Sequence, residues 1–174
     1  MHVTEIRTGR FVGTPVRDQD FTALRSIHGD LRAVATLSID GLPLAEDRTR
    51  TLIRESSIQA LQHGLGLWVF RRKDQGEFIG YAGLRRTVVD GNRETELYYA
   101  VHPNFWRQNC GTEMARALVH FAFEQRAIGD IISFTLPTNL GSRGVMEKCG
   151  LRYERDVLHV GLPHVLYRLT RPPT

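Results

Sequence analysis

Residues 106–113, with the sequence WRQNCGTE, join a predicted strand to a predicted helix. The first turn of a helix leaves main-chain N–H groups unpaired and carries about half a positive charge, so a tight loop there can bind a phosphate. Asn109 and Gly111 tolerate unusual backbone angles, and Arg107 adds a full positive charge. A loop that only joins a strand to a helix has the same composition, so both interpretations stay open. The segment lacks the GKS or GKT ending of a P-loop and the GxGxxG pattern of a dinucleotide-binding fold.

A second segment of interest follows a predicted buried strand further along the chain. It begins with residues 139–142, NLGS, and ends with residues 147–151, EKCGL. Asn139 is suited to cap a helix by accepting a hydrogen bond from a free amide, and Gly150 is suited to the left-handed position that ends one. Both residues could serve only to delimit a helix, and their types alone do not decide between that role and a binding role.

The order of the predicted elements indicates a mixed sheet with helices on its faces. Hydrophobic periodicity and turn residues predict these elements. Seven strands are expected at residues 11–16, 67–72, 78–89, 94–101, 130–136, 157–160 and 165–169, and helices at 21–28, 45–63, 111–126 and 139–149. Strand runs that alternate with helices are typical of the α/β and α+β classes.

Length and composition predict one soluble domain that spans residues 1–174. The chain is 41% hydrophobic and 24% charged, which is ordinary for a globular protein and argues against disorder. No stretch approaches the roughly 20 apolar residues of a membrane helix. The first ten residues, MHVTEIRTGR, have no apolar run behind their charges, so no secretory signal is expected and the location is predicted to be cytoplasmic.

The positive charge of the chain is dispersed. The formal net charge is +4, and only Lys73 and Lys148 are lysines among the 23 basic residues. The adjacent arginines form only the pairs 71–72 and 85–86, whereas a nucleic-acid surface needs a clustered stripe. Nucleic acid is therefore not an expected partner, and a small anionic ligand stays open. The preference for Arg over Lys suggests a GC-rich bacterial genome.

The cysteines do not predict a metal site. Cys110 and Cys149 lie far apart and neither belongs to a CxxC pair, so a structural zinc site is not expected. In a cytosolic chain the expectation is two reduced thiols, and no local pattern supports a catalytic Cys–His pair.

Taken together and in this order, the two segments resemble the GNAT superfamily of acetyl-CoA-dependent N-acetyltransferases. Residues 96–106, ELYYAVHPNFW, are similar to the strand and loop of the RimJ/RimL-type branch, and residues 107–113 look like the pyrophosphate loop of the family. Asn139 and Ser142 with residues 147–151 look like its second motif. The resemblance runs from the strand at Phe11 to the strand at Tyr167.

Three positions depart from the family pattern. Trp106 takes a slot that is usually Gln or Arg, and Asn109 replaces the first glycine of the loop. Asn adopts the left-handed backbone more readily than other non-glycine residues, so we expect the loop to keep its shape. Met146 stands where other members carry a tyrosine that protonates the departing thiolate, which excludes a tyrosine acid at that slot.

The resemblance implies how the cosubstrate binds. The family splays two parallel strands of a mostly antiparallel sheet, and the pantetheine arm of acetyl-CoA lies in the gap; here these strands are residues 94–101 and 130–136. A main-chain N–H near Val101 would hold the acetyl oxygen. The residues expected to bind the cosubstrate are Val101, Arg107, Gln108, Asn109, Cys110, Gly111, Thr112 and Asn139. No metal is implied.

Glu96 and Ser142 are the catalytic candidates. Glu96 shares a strand face with Glu94 and Tyr98, and a carboxylate there can take a proton from an ammonium group through water. The alternative is a strand glutamate that pairs with one of the many arginines. Ser142 is the candidate acid near the CoA sulfur, because similar RimL-like enzymes use the serine at this place; it could also be a simple helix N-terminal hydroxyl.

Other side chains could also take part in proton transfer. The tyrosines at positions 98 and 99 are expected to pack in the core. His102, His159 and His164 are alternatives to the two candidates, and His120 is expected to be structural because its helix packs on the sheet. The last hairpin, which carries His159 and His164, commonly borders the acceptor cleft in this family.

The predicted function is transfer of an acetyl group from acetyl-CoA to a primary amine. The acceptor could be a protein N-terminus, as the RimJ/RimL resemblance suggests, or a small amine such as an antibiotic, a polyamine or an amino acid. A polycationic acceptor would be favoured if acidic residues came together in the acceptor cleft, and the candidates are Glu5, Asp40, Glu94 and Glu96. The alternative is a catalytically silent CoA-binding sensor or interaction module, and an RNA-associated protein is a weaker third. A monomer or a homodimer is expected.

Overall fold

A computed structural model describes residues 5–38 and 40–172. The expectation about a leader rests partly on residues 1–4, which lie outside the described residues. The strands are β1 Ile6–Arg7, β2 Phe11–Pro15, β3 Gly66–Arg72, β4 Phe78–Val89, β5 Asn92–Val101, β6 Asp130–Thr135, β7 Arg152–His159 and β8 Leu162–Thr170. The helices are α1 Phe21–His28, α2 Leu31–Leu37, α3 Glu46–His63, α4 Cys110–His120 and α5 Leu140–Lys148.

The described strands form one mixed sheet in the order β1-β2-β3-β4-β5-β6-β8-β7. All neighbours are antiparallel except β5 and β6, which are parallel. The predicted class, a mostly antiparallel sheet between helices, is confirmed. The sheet has eight strands instead of about seven because the edge strand β1 is only two residues long, too short to show an alternating pattern.

Tight turns fix the register of the strands that carry the site. Asp90 and Gly91 both have positive φ angles, 49° and 80°, as a two-residue hairpin turn requires. The predicted turn between β4 and β5 is therefore confirmed. It pairs Val89 with Asn92 and, further along the same ladder, Arg85 with Glu96. The turn chemistry thus brings a cation and a carboxylate together.

Helices cover both faces of the sheet. Leu24 and Ile27 of α1 pack with Ile53 of α3 against one face, and Met114 and Leu118 of α4 pack against the other. The helix α3 ends at Gly64, whose φ of 66° is the left-handed stop that glycine favours. None of the described helices is long and apolar enough to cross a bilayer.

Two helical segments differ from the prediction. Helix α2 was not expected; it begins after Asp30, whose side chain accepts from the amide of Arg32. The helix predicted over residues 111–126 is α-helical only through His120 and continues as a π-helical turn over Phe121–Gln125. The seven residues of α2 hold too few turns for a clear apolar stripe, and hydrophobic spacing does not distinguish a π turn from an α turn.

The sheet opens between its two parallel strands. β5 and β6 share a single pair of Cα partners, Glu96 and Ile132. β5 stays paired to β4 as far as Val101, while β6 pairs along its whole length with β8. Each strand is thus held by its outer neighbour, and the two diverge beyond Glu96. The predicted splayed pair is confirmed.

Candidate active site

The loop that leads into α4 presents free amides to solvent. Arg107 and Asn109 have positive φ angles of 61° and 57°, and Asn109 occupies the N-cap position of α4. Within the part of the chain that the structure describes, the amides of residues 107–112 have no protein acceptor. The residues from 106 to 109 are exposed. The loop therefore offers several N–H donors and the positive end of a helix to an anion.

Side-chain contacts hold this loop in shape. The Nζ of Lys148 donates to Oδ1 of Asn109 at 3.0 Å, so the second motif is tied to the first. The guanidinium of Arg10 donates to the carbonyl of Gln108 at 3.0 Å. The side-chain Nε2 of Gln108 in turn donates to the carbonyl of Asn104 at 3.2 Å. The loop is therefore organised without a ligand.

A concave basic surface lies beside the loop. Glu113 is its acidic residue, and an ion pair of 2.6 Å with Arg10 compensates that charge. The guanidinium of Arg116 donates to the carbonyl of Lys148 at 2.7 Å. The balance of charge is positive, which suits a phosphate group. The residues that line this surface are Arg10, Asn109, Thr112, Glu113, Arg116 and Lys148.

Main-chain groups of β5 face the gap between the splayed strands. The amide of His102 donates to the carbonyl of Ile79 on β4 at 2.9 Å. Successive amides of a strand point to opposite sides, so the amides of Val101 and Tyr99 point away from β4 and into the gap. The indole of Trp106 donates to the carbonyl of Val101 at 2.8 Å and fixes the end of the strand.

A cleft of about 240 Å³ opens at the gap and contains both catalytic candidates. Glu96 lies on one side, and Ser142 and the helix cap Asn139 lie on the other. The predicted loop residues 107–112 are not part of this cleft; they lie where β5 leads into α4. The cleft is lined by Thr36, Leu37, Ser38, Arg85, Glu96, Leu97, Tyr98, Tyr99, Ser133, Phe134, Thr135, Leu136, Asn139, Ser142, His159 and His164.

Glu96 forms a buried ion pair with Arg85. The guanidinium Nε and Nη2 donate to the two carboxylate oxygens at 2.7 and 3.1 Å. The Glu96 side chain is 5% exposed and that of Arg85 is 33% exposed. The Arg85 guanidinium also lies over the Tyr98 ring, 4.7 Å from its centroid. The arginine pairing that the sequence left open is therefore present, and a carboxylate still has lone pairs left for a water.

Ser142 is hydrogen-bonded to a tyrosine that was expected only to pack. The Tyr99 hydroxyl lies 2.9 Å from the carbonyl oxygen of Ser142 and 3.0 Å from its Oγ. A phenol has one proton, so Tyr99 can donate to the carbonyl while it accepts from the serine hydroxyl. Burial raises the pKa of Tyr99, which keeps the phenol protonated at neutral pH. The expected packing of Tyr99 against the core is present, and the contact with Ser142 is an addition to it.

Asn139 caps α5 as predicted. Its Oδ1 accepts from the amide of Ser142 at 3.1 Å, and its Nδ2 donates to Thr135 Oγ1 at 3.1 Å. The side chain is thereby fixed between the end of β6 and the start of α5. This contact places Ser142 in the first turn of the helix, next to the gap.

Of the four candidate histidines, His159 and His164 line the cleft. The rings of His159 and His164 lie 5.4 Å apart, edge to face, and His159 also packs on Phe134 at 4.7 Å. Burial and the neighbouring His164 lower the pKa of His159, so its imidazole is neutral at pH 7. His120 is exposed on α4 and His102 accepts from the Asn104 amide at 3.3 Å; neither lines the cleft.

The acidic residues named as a possible polycation site do not converge. Glu94 pairs with Arg168 at 2.7 and 3.0 Å. Glu5 pairs with Arg7 at 2.6 Å, and Asp40 accepts from Ser38 and from the Leu42 amide. Of the four, only Glu96 lines the cleft, and its charge is compensated there.

The chain matches the acetyltransferase (GNAT) domain family over residues 10–152. It is 35% identical over 96 residues to the FsC-acetyl coenzyme A-N(2)-transacetylase of Aspergillus fumigatus, a match that covers 52% of this chain and 40% of that relative. It is 26% identical over 120 residues to YkkB of Bacillus subtilis, covering 69% of this chain and 70% of YkkB. The chain thus spans less than half the length of the fungal relative.

Solved structures share the fold. An acetyltransferase from Agrobacterium tumefaciens has a TM-score of 0.85 at 22% identity and covers 98% of this chain and 96% of its own. The ribosomal L7/L12 α-N-protein acetyltransferase RimL, in complex with coenzyme A, has a TM-score of 0.78 at 12% identity, covering 96% and 98%. The aminoglycoside acetyltransferase AAC(6')-Ib, with ribostamycin and coenzyme A, has a TM-score of 0.75 at 18% identity, covering 92% and 93%.

Proposed function

This chain belongs to the GNAT acetyltransferase family, and from that premise we propose that it is an N-acetyltransferase that moves the acetyl group of acetyl-CoA to a primary amine. The observation that carries the proposal is the row of main-chain amides from Arg107 to Thr112, which have no acceptor among the described residues and lie at the positive end of α4, beside the splayed strands. Its similarity to an acetyl coenzyme A transacetylase supports the same donor.

The diphosphate of CoA would bind at the loop. We assign its oxygens to the main-chain amides of residues 107–112, with the positive end of the α4 dipole behind them. The basic surface formed by Arg10, Arg116 and Lys148 would take further phosphate charge. Asn139 would border the pantetheine arm through its place at the gap. The loop fits the group because its main-chain N–H donors are already oriented and, among the described residues, have no protein acceptor.

The transfer step needs three groups near the gap. The neutral amine attacks the thioester carbon, and the Val101 amide, which points into the gap, would donate to the oxygen as charge develops on it. Glu96 would accept the proton of the ammonium form through a water. When the carbon–sulfur bond breaks, Ser142 would give its proton to the thiolate. The Tyr99 hydroxyl, 3.0 Å from the serine oxygen, would turn from the Ser142 carbonyl to donate to that oxygen and would stay protonated, and the proton that left the amine would return to Ser142 through water.

We place the chain in the RimJ/RimL-like branch and expect its acceptor to be a protein N-terminus or a small-molecule amine. The motif sequence of residues 96–106 and the fold shared with RimL support this placement. We further propose that residues 1–174 form a single cytoplasmic domain that acts as a monomer or a homodimer.

A thiol-release assay tests the proposal. Purified protein is mixed with acetyl-CoA and a panel of primary amines, and free CoA is measured together with the mass of the acetylated product. Amine-dependent release of CoA is expected. Binding of CoA without turnover on any amine would contradict the proposal and indicate a silent module.

Two glycine variants locate the site. A Cβ at Gly111 would lie 3.3 Å from side-chain carbons of both Val101 and Val145, whereas a Cβ at Gly129 meets nothing within 4 Å. Gly111→Val should crowd the loop and weaken CoA binding about tenfold or more, because a well-packed site does not accept extra methyl groups. Gly129→Val is the control and should bind CoA normally. Wild-type affinity in a folded Gly111→Val protein would show that the diphosphate binds elsewhere.

A further inference from the structure

The ion pair in the cleft is unequally exposed. Glu96 has 5% of its side chain exposed, and both of its oxygens accept from Arg85, whose side chain is 33% exposed. A guanidinium has five N–H donors, of which Glu96 uses two. Among the described residues, no other side chain or carbonyl accepts from Arg85. The cleft therefore presents free cationic donors and almost no accessible carboxylate oxygen.

The other groups around Arg85 do not reverse this balance. His159 and His164 also line the cleft, and the lowered pKa of His159 leaves its imidazole uncharged at neutral pH. The phenol of Tyr98 stays protonated because burial raises its pKa. Glu55 of α3 is the nearby acid, but it is exposed on its helix and does not line the cleft.

A polycationic acceptor fits this cleft poorly. The Arg85 guanidinium would repel an ammonium group that enters the cleft. Among the described lining residues the carboxylate is that of Glu96, and Arg85 already compensates its charge. A carboxylate, in contrast, meets Arg85 donors in the planar geometry that such groups bind well. Arg85 and Glu96 face each other on the neighbouring strands β4 and β5. An acceptor could therefore place its amine beside Glu96 and its carboxylate on Arg85 at the same time.

We propose that Arg85 binds a carboxylate close to the acceptor amine, so that the enzyme prefers amines that carry such a group over simple amines and polyamines. The inference rests on the proposed acetyl transfer. One chemistry, a carboxylate near an amine, is offered both by a free α-amino acid and by a peptide whose second residue is acidic. The experiment distinguishes these sources.

Matched acceptors test the preference. Thiol release with acetyl-CoA is measured as kcat/KM for phenylalanine, phenylalaninamide, phenethylamine and spermidine, and for two peptides that differ only by Asp or Asn at the second position. The carboxylate-bearing member of a pair should be favoured about tenfold, as expected for a charge-assisted contact. A preference confined to phenylalanine identifies the free amino acid, and one confined to the Asp peptide identifies the acidic N-terminus.

The possible failures are distinct. Equal rates within both pairs, or a higher rate with spermidine, would overturn the role of Arg85 while leaving acetyl transfer intact. Absence of CoA release with every acceptor would overturn both this inference and the proposed function.

Two lysine variants complete the test. Arg85→Lys keeps the charge next to Glu96 but removes the planar donors, so the preference ratio within the favoured pair should fall about tenfold. Arg86→Lys is the control, because Arg86 is exposed, does not line the cleft and donates instead to Thr95 Oγ1 at 2.6 Å; its ratio should be unchanged. A ratio is insensitive to a general loss of activity. An unchanged ratio in Arg85→Lys would overturn the inference.

Discussion

The ammonium group of Lys148 donates to the side-chain oxygen of Asn109 at 3.0 Å, joining the end of one helix to the beginning of another. Asn109 is the residue whose left-handed backbone, with φ of 57°, starts α4. Arg116 strengthens the same junction through the carbonyl of Lys148 at 2.7 Å. The amides that would bind a diphosphate therefore lie where hydrogen bonds hold the start of α4 against the end of α5.

The backbone angle of Asn109 should matter more than its side chain. Asn109→Gly loses the Lys148 contact but keeps access to positive φ, so its affinity for CoA should change only a few-fold. Asn109→Val forces a β-branched residue into that region at a cost of about 1–2 kcal/mol, so binding should weaken about tenfold. Titration calorimetry with CoA measures both. Equal affinities of the two variants would contradict the role of the backbone.

Local chemistry was sufficient to predict the features of the fold that depend on a few adjacent residues. The stop at Gly64, the turn at Asp90 and Gly91, the left-handed Asn109 and the cap at Asn139 all follow from what one side chain or one φ angle permits. These features determine where several elements end, and the bounds of those elements lie close to the predicted ones. The last hairpin differs, since β7 begins at Arg152 and β8 at Leu162, earlier than the predicted 157 and 165.

Contacts between distant residues could not be predicted in the same way. Nothing local pairs Tyr99 with Ser142, because their contact depends on how α5 packs beside the gap. The partner of Glu96 was open among many arginines, and Arg85 is selected by the register that the hairpin turn sets. Counting the register back from that turn is the signal that could have found it.

Replacing Glu96 tests the proposed base. Glu96→Gln keeps the shape but removes the negative charge, and kcat should fall about 100-fold if the carboxylate accepts the proton. The melting temperature of each variant checks that the loss of the ion pair with Arg85 has not unfolded the protein. An unchanged rate and pH profile would remove Glu96 from this role.

The same experiment separates Glu96 from His159. A neutral imidazole accepts a proton, and the pKa of His159 is lowered by burial, so a rate that depended on it would rise with pH at values below about 6.5. If Glu96 is the base, the rate of His159→Asn should depend on pH below about 6.5 in the same way as the wild-type rate. Loss of activity in His159→Asn with normal activity in Glu96→Gln would assign the base to the histidine.

A buried histidine away from the cleft should make stability depend on pH. His28 lies between Thr49 Oγ1 at 2.8 Å and Tyr81 Oη at 3.0 Å, and burial together with Arg25 lowers its pKa to about 4. The unfolded chain therefore takes up a proton below about pH 6.5 that the folded chain does not. The free energy of unfolding should keep its full contribution from His28 above about pH 6.5 and should fall by about 3 kcal/mol as the pH drops towards about 4.

Urea unfolding at about pH 7.5 and about pH 4.5 measures this loss. His28→Gln should lower the stability at the higher pH and flatten its dependence on pH, because the titrating group is gone. His120→Gln is the control, since His120 is exposed on α4, and it should keep the wild-type dependence. The same pH dependence in His28→Gln as in the wild type would contradict the assignment.

The hydroxyl pair beside the gap should act as one unit in the last step of the reaction. Ser142→Ala and Tyr99→Phe each remove one member of a contact of 3.0 Å, and each should lower kcat about 10-fold or more with little effect on KM, since the proton is needed only as the thiolate leaves. The double variant should be scarcely worse than either single one, because residues that act together are not additive. Tyr153→Phe removes an exposed hydroxyl that binds Asp156 at 3.0 Å, outside the cleft, and should behave as the wild type. Fully additive losses, or a normal kcat in Ser142→Ala, would show that the thiolate receives its proton from another source.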